Sequence, residues 1–86
     1  MERYSITESQ LNTNGAIGHQ SFDYGGNKKA AESHFHTALA SGLASGLIAE
    51  TVTLVMMDDE TGHGWAKNET VKGNGVYTPA EEGSEE

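Results

Sequence analysis

The sequence has no cysteine, no long apolar run and few basic residues. These shortages argue against disulfides, a membrane span and direct nucleic-acid binding. Without cysteine, no disulfide supports the fold and no redox compartment is implied. No stretch approaches the roughly 20 apolar residues of a membrane span, so no membrane contact is expected. The N-terminal stretch MERYSITES also lacks the apolar core of a secretory signal. We therefore expect a cytoplasmic protein.

The charge is strongly one-sided, with 5 basic against 13 acidic residues and a net charge of −8. Four of the acids lie in the last six residues, namely Glu81, Glu82, Glu85 and Glu86. The rest of the chain therefore holds nine acids against five bases and is only mildly acidic. No basic patch is available to neutralise phosphates, so direct nucleic-acid binding is not expected.

The length of 86 residues suits one domain, near the lower end of what folds without disulfides or metals. The composition changes near Thr78, which is followed by the stretch PAEEGSEE with no large apolar residue. Such a composition is typical of a disordered acidic tail. The predicted organisation is a single α+β domain over residues 1–77 and a disordered acidic tail over 78–86.

A helix is predicted after Asn27, whose side chain can cap the first turn. The small and apolar residues that share one helical face are Ala31, Phe35, Ala38, Leu39 and Gly42. Glycine inside a helix costs about 1 kcal/mol relative to alanine, so Gly42 predicts a close approach of this helix to a sheet. Gly46 is the predicted terminator, since glycine accepts the left-handed conformation found after helix ends.

The segment from Ile48 to Met57 is rich in β-branched residues and predicts the central strand. Because successive side chains of a strand point to opposite sides, this segment has two faces. The residues expected to face the helix are Ile48, Val52, Leu54 and Met56. The opposite face carries Thr51, Thr53, Val55 and Met57, and it is less polar than a fully solvated face would be.

Two hairpins are predicted around this centre. In the first, residues 3–8 pair with residues 16–24 across the turn signal Asn14-Gly15, and Gly18 favours an edge position or a bulge. In the second, the acidic turn Asp58–Gly62 leads to a strand over residues 63–70 anchored by Trp65. The predicted fold is a four-stranded antiparallel sheet with one helix packed on one face (ββαββ), in strand order 2-1-3-4.

No catalytic, cofactor-binding or metal-ligating set of residues can be assembled. His34 and His36 are two apart on the helix and point about 200° apart, so they cannot chelate one ion and are expected to be flanking or surface residues. The acidic turn lacks the ligand spacing of an EF-hand. The glycine pairs match neither a P-loop nor a dinucleotide fingerprint. We therefore expect no cofactor and no enzymatic activity.

The pattern of a first-strand tyrosine, a helix with FHTALA, an apolar strand and a DDETG turn resembles small proteins of gut Firmicutes and their prophage or conjugative elements. The residues that carry this resemblance are Tyr4, Ala31, Phe35, His36, Leu39, Ala40, Asp58, Asp59 and Gly62. They cover about two-thirds of the chain. The resemblance implies a ββαββ protein without an assigned activity, and it transfers no site residue.

Two functions are compatible with these features. The first is a small interaction or accessory protein that acts through its surface as a homodimer, with Thr51, Thr53, Val55 and Met57 as the possible interface. The alternative is an acidic inhibitor that is encoded by a mobile element and mimics nucleic acid to block a host DNA-binding protein. Mimicry requires that the nine acids outside the last six residues lie on one face.

Overall fold

The computed structural model describes residues 1–78 as one antiparallel sheet covered on one side by a single helix. The elements in chain order are β1 (Glu2–Leu11), β2 (Ile17–Gly25), α1 (Lys28–Leu43), β3 (Ala49–Asp58) and β4 (Gly64–Lys72). The strand order is β2-β1-β3-β4. The predicted ββαββ fold and strand order are confirmed. Apart from Thr78, the predicted acidic tail lies outside the described residues.

The two central strands, β1 and β3, pair along their whole length, from Glu2 opposite Asp58 to Leu11 opposite Ala49. Burial alternates along both strands, as expected for strands covered on one face only. On β3, Val52 and Leu54 are 0% and 3% exposed. The predicted assignment of these two residues to the helix side is therefore confirmed.

The core lies between α1 and the two central strands. Its largest fully buried side chains are Phe35, Ile6 and Val52. Around Phe35, the helix contributes the buried small residues Ala31, Ala38 and Gly42. Because these residues are small, the helix backbone lies close to the sheet, as the narrow apolar stripe predicts.

The helix begins as predicted and ends earlier than predicted. At its start, the side-chain oxygen of Asn27 accepts a hydrogen bond from the Ala30 N–H at 3.1 Å. The predicted end at Gly46 is wrong, because the last helical residue is Leu43. The Ala44 N–H bonds back to the Ser41 carbonyl at 3.2 Å, which tightens the last turn, and the Ser45 hydroxyl donates to the Gly42 carbonyl at 2.8 Å.

The segment after β4 folds back over one end of the domain. The N–H groups of Gly73, Asn74 and Gly75 donate to carbonyls of the loop between α1 and β3, each at 2.9 Å. Further along, the Thr78 N–H donates to the Thr13 carbonyl at 2.7 Å in the first hairpin turn. These bonds join three separate loops, so residues 73–78 belong to the folded domain.

The hairpins form where the turn signals predict them. In the first turn Gly15 has φ +90°, and in the acidic turn Gly62 has φ +74°. Strand β2 lies at the sheet edge, as predicted. The irregularity in its pairing with β1 falls between Tyr4 and Ser5, however, and not at Gly18. Within residues 1–78, no helix is long and apolar enough to cross a membrane.

Candidate functional site

Two carboxylic acids, Glu8 on β1 and Glu50 on β3, lie beneath the helix with 9% and 4% of their surface exposed. In the pairing of these strands, Glu8 lies opposite Val52 and Glu50 lies opposite Gln10. The two acids are therefore diagonal neighbours on the helix side of the sheet. Buried acids are rare unless paired, because taking a carboxylate out of water is costly.

Glu8 has a partner on the helix. The Nε2 atom of His34 makes a short contact with the Glu8 carboxylate, and the Nδ1 atom of the same ring lies 2.7 Å from the Tyr24 hydroxyl. The Phe22 ring packs edge-on against the imidazole, with centroids 4.6 Å apart. Protonated His34 would balance the charge of Glu8, while its aromatic neighbours fix the orientation of the ring.

Glu50 has no comparable partner. Within residues 1–78, its side chain accepts one long hydrogen bond, from Gln10 Nε2 at 3.5 Å, and no lysine or arginine pairs with it. Burial raises the pKa of Glu50 above its ordinary value, and the charge and hydrogen bonding of Glu8 raise it further, against the smaller opposite effects of Gln10 and His34. When ionised, this acid has to share the single compensating charge of His34 with Glu8.

These groups border a cavity of about 260 Å³ between the helix and the sheet, here called the acidic cavity. Both carboxylic acids and His34 line it, and Ser41 and Ser45 add hydroxyl groups. A cavity with a few convergent polar groups is the usual form of a small-molecule site. In the described part of the chain, no three histidine or acidic side chains are placed so that they could hold a metal ion.

The sequence contained a signal for this cluster. Glu8 shares the inward parity of Tyr4 and Ile6, and Glu50 lies between the inward positions of Ile48 and Val52. An acid at such a position on each of two strands indicates a buried polar site, although sequence alone does not show that the strands are adjacent.

The predicted divergence of His34 and His36 is observed. His36 is exposed, whereas His34 lies on the flank of the helix with 16% of its side chain exposed. His19 lies on the other side of the sheet, where its Nδ1 atom is 2.9 Å from the Ser9 hydroxyl. The exposed His63 follows the acidic turn. The fold therefore does not gather the histidines at one site.

The predicted interface residues lie together on the sheet side away from α1, here called the open face. It comprises Thr51, Thr53, Val55 and Met57 of β3, Ser5, Thr7 and Ser9 of β1, Ala66, Asn68 and Thr70 of β4, and His19, Ser21 and Asp23 of β2. Trp65 lies on the helix side, with its ring centroid 6.4 Å from that of Tyr4, so it does not cover this face.

Cross-strand hydrogen bonds occupy most hydroxyl groups of the open face. Thr51 and Thr70 are 2.8 Å apart through their hydroxyls, and the Thr53 hydroxyl donates to Asn68 Oδ1 at 2.6 Å. Towards the acidic turn, Val55 and Met57 form the apolar part of a depression of about 230 Å³, and Met57 is 61% exposed. Arg3 and the aspartates Asp23, Asp58 and Asp59 also line this depression. The face thus combines satisfied polar groups with apolar surface at both ends, since Leu11, Ile17 and Ala49 line a second depression at the opposite end.

The nine acids outside the last six residues do not lie on one face. Two are the buried Glu8 and Glu50, and a group at one end includes Asp58 and Asp59. The amino group of Met1 lies 2.7 Å from the Asp59 carboxylate and holds the pKa of Asp59 below the usual range. The Glu60 backbone N–H, followed by the Met1 amino group, lowers the pKa of Asp58. This distribution does not match the arrangement that nucleic-acid mimicry requires.

Comparisons with protein-family models, with curated proteins and with solved structures gave no match. The interpretation of the site therefore depends on the residues of this chain. The resemblance to small mobile-element proteins stays a prediction.

Proposed function

We propose that this chain is a small non-enzymatic interaction protein of the cytoplasm that forms a homodimer through the open face. The observation that carries this proposal is the charge of that face. The whole chain has a net charge of −8, yet Asp23 is the only acid among the open-face residues of the four strands. Arg3 and Lys72 share the same parity at the strand ends, and Arg3 pairs with Asp59 of the acidic turn at 3.0 Å.

This distribution favours a second copy as the partner. Two acidic chains repel each other over most orientations, and the repulsion is weakest where surfaces without net negative charge meet. In a two-fold dimer the same face is contributed twice, so self-pairing of this face brings few acids together.

The chemistry of the open face also suits burial. Hydroxyls that are already hydrogen-bonded across strands lose little when water is removed, whereas unpaired ones would each cost about 1–3 kcal/mol. Val55 and Met57 supply apolar surface at one end, and exposed apolar patches commonly mark interfaces. The depression that they line can accept a side chain of the second copy.

The size of the face is sufficient for a small dimer interface. Strands of nine or ten residues give a length of about 30 Å, and four strands give a width of about 19 Å. The resulting area of about 600 Å² per partner is at the lower end for specific interfaces.

Light scattering at tens of micromolar tests the proposal. The parent protein is expected at twice its monomer mass of 9.1 kDa. Val55→Lys is expected to yield a monomer, since it would place an unpaired charge within the interface. Ala40→Lys, on the exposed side of α1, adds the same charge and should leave the dimer intact. A parent protein of monomer mass would refute the proposal.

A further inference from the structure

The charges around the acidic cavity do not balance. His34 contacts Glu8, so one protonated histidine can compensate one carboxylate. Glu50 is 96% removed from solvent, and within residues 1–78 it has a long hydrogen bond from Gln10, the carboxyl group of Glu8 within hydrogen-bonding reach, and the same histidine as its nearest compensating charge. A buried carboxylate without a cation is costly, so a positively charged ligand would stabilise this site.

The remaining groups around the cavity define what kind of cation fits. Ser41 provides a hydroxyl oxygen that can accept hydrogen bonds, and Leu47 provides apolar surface. The Ser45 hydroxyl donates to the Gly42 carbonyl and accepts from the Leu47 N–H, which leaves it one acceptor position. The absence of a metal-holding group of histidine and acidic side chains from residues 1–78 disfavours a bare divalent ion. A compact donor of several N–H bonds with a short apolar chain matches this lining.

We propose that the acidic cavity binds a small primary alkylammonium ion, with the ammonium group against the Glu50 carboxylate. The ammonium group donates to this carboxylate and to the serine hydroxyls, while the alkyl chain lies along Leu47. The cavity is on the helix side of the sheet, so this binding does not depend on dimer formation through the open face.

Titration with butylammonium chloride, followed through the backbone amide signals by NMR, tests the proposal. Saturable shifts are expected at residues around the cavity, including Glu50, Ser41 and Leu47. Two controls separate the contributions of charge and donors. Butanol has the chain without the charge, and tetramethylammonium has the charge without N–H donors. Neither should saturate the site at the concentration where butylammonium does.

Variants locate the site. Glu50→Gln keeps the shape of the side chain and should weaken butylammonium binding by at least about tenfold, the effect of losing roughly 1.4 kcal/mol. Glu60→Gln removes an equal charge from the exposed acidic turn and should bind as the parent does. Ser41→Phe changes no charge and should block the cavity.

Three outcomes would overturn the proposal. They are the lack of saturable shifts in the parent, equal binding by Glu50→Gln, and equal binding of butanol. Glu50→Gln removes a buried charge and is expected to fold, and Ser41→Phe alters an exposed helical position, so the two variants test the site independently. The mass of each variant by light scattering reports separately on the dimer.

Discussion

Gly42 of α1 lies directly against Glu50 of β3. A Cβ atom on residue 42 would be 2.7 Å from the Glu50 Oε1 atom and equally close to a methyl group of Val71. The predicted reason for a glycine within this helix, close approach to the sheet, is therefore confirmed. The same contact places the last turn of the helix over the acidic cavity.

Gly42→Ala is expected to destabilise the protein, although alanine is the better helix former. The propensity gain is about 1 kcal/mol, whereas overpacking a core typically costs about 1–3 kcal/mol. Urea denaturation should show the loss. Gly46→Ala is the matched control, because nothing lies within 4 Å of a Cβ there. Equal or higher stability of Gly42→Ala would mean that the helix and the sheet are not in close contact.

Phe35→Ala is expected to lower the free energy of unfolding by about 3–5 kcal/mol, because it empties the centre of a small core. That loss is comparable with the entire stability of many small domains, so much of the variant should be unfolded. Lys29→Ala, at an exposed position on the same helix, should melt within a few degrees of the parent. Thermal melts followed by circular dichroism compare the three proteins.

Glu50 predicts a specific pH dependence of stability. Because its pKa is raised in the folded protein, folding takes up a proton, and the parent loses stability as the pH rises through the folded pKa. Glu50→Gln should lack this loss and be the more stable protein at neutral pH. Urea midpoints of both proteins from acidic to neutral pH give the difference, in which the titrating groups that do not interact with Glu50 cancel. A difference that does not change with pH would contradict the raised pKa.

Two truncated proteins distinguish the contribution of residues 73–78 to stability from that of the tail. Ending the chain at Thr78 removes four like charges and no large apolar residue, so the melting temperature should be nearly unchanged. Ending it at Lys72 also removes the hydrogen bonds of residues 73–78 to the loops. A loss of several degrees is expected, since 1 kcal/mol corresponds to about 4–8 °C in a domain of this size. Equal melting of both truncated proteins would show that the segment contributes nothing.

The sequence by itself determined the elements and their arrangement. Hydrophobic periods of 3.6 and 2 assigned α1 and β3, and glycines marked both hairpin turns. Local pairing of each hairpin then left the order β2-β1-β3-β4 as the simplest one. These features are short-range, so a single sequence carries them in full.

Only the tertiary structure decided where the helix ends and which polar residues meet. The helix stops at Leu43 and not near Gly46, because its last turn and the following loop bond to each other and to residues after β4. His34 and Glu8 are 26 positions apart, and Glu50 and Gln10 are 40 apart. Their contacts depend on strand register and on the position of the helix over the sheet. A local pattern specifies neither, since both are set by how the whole core packs.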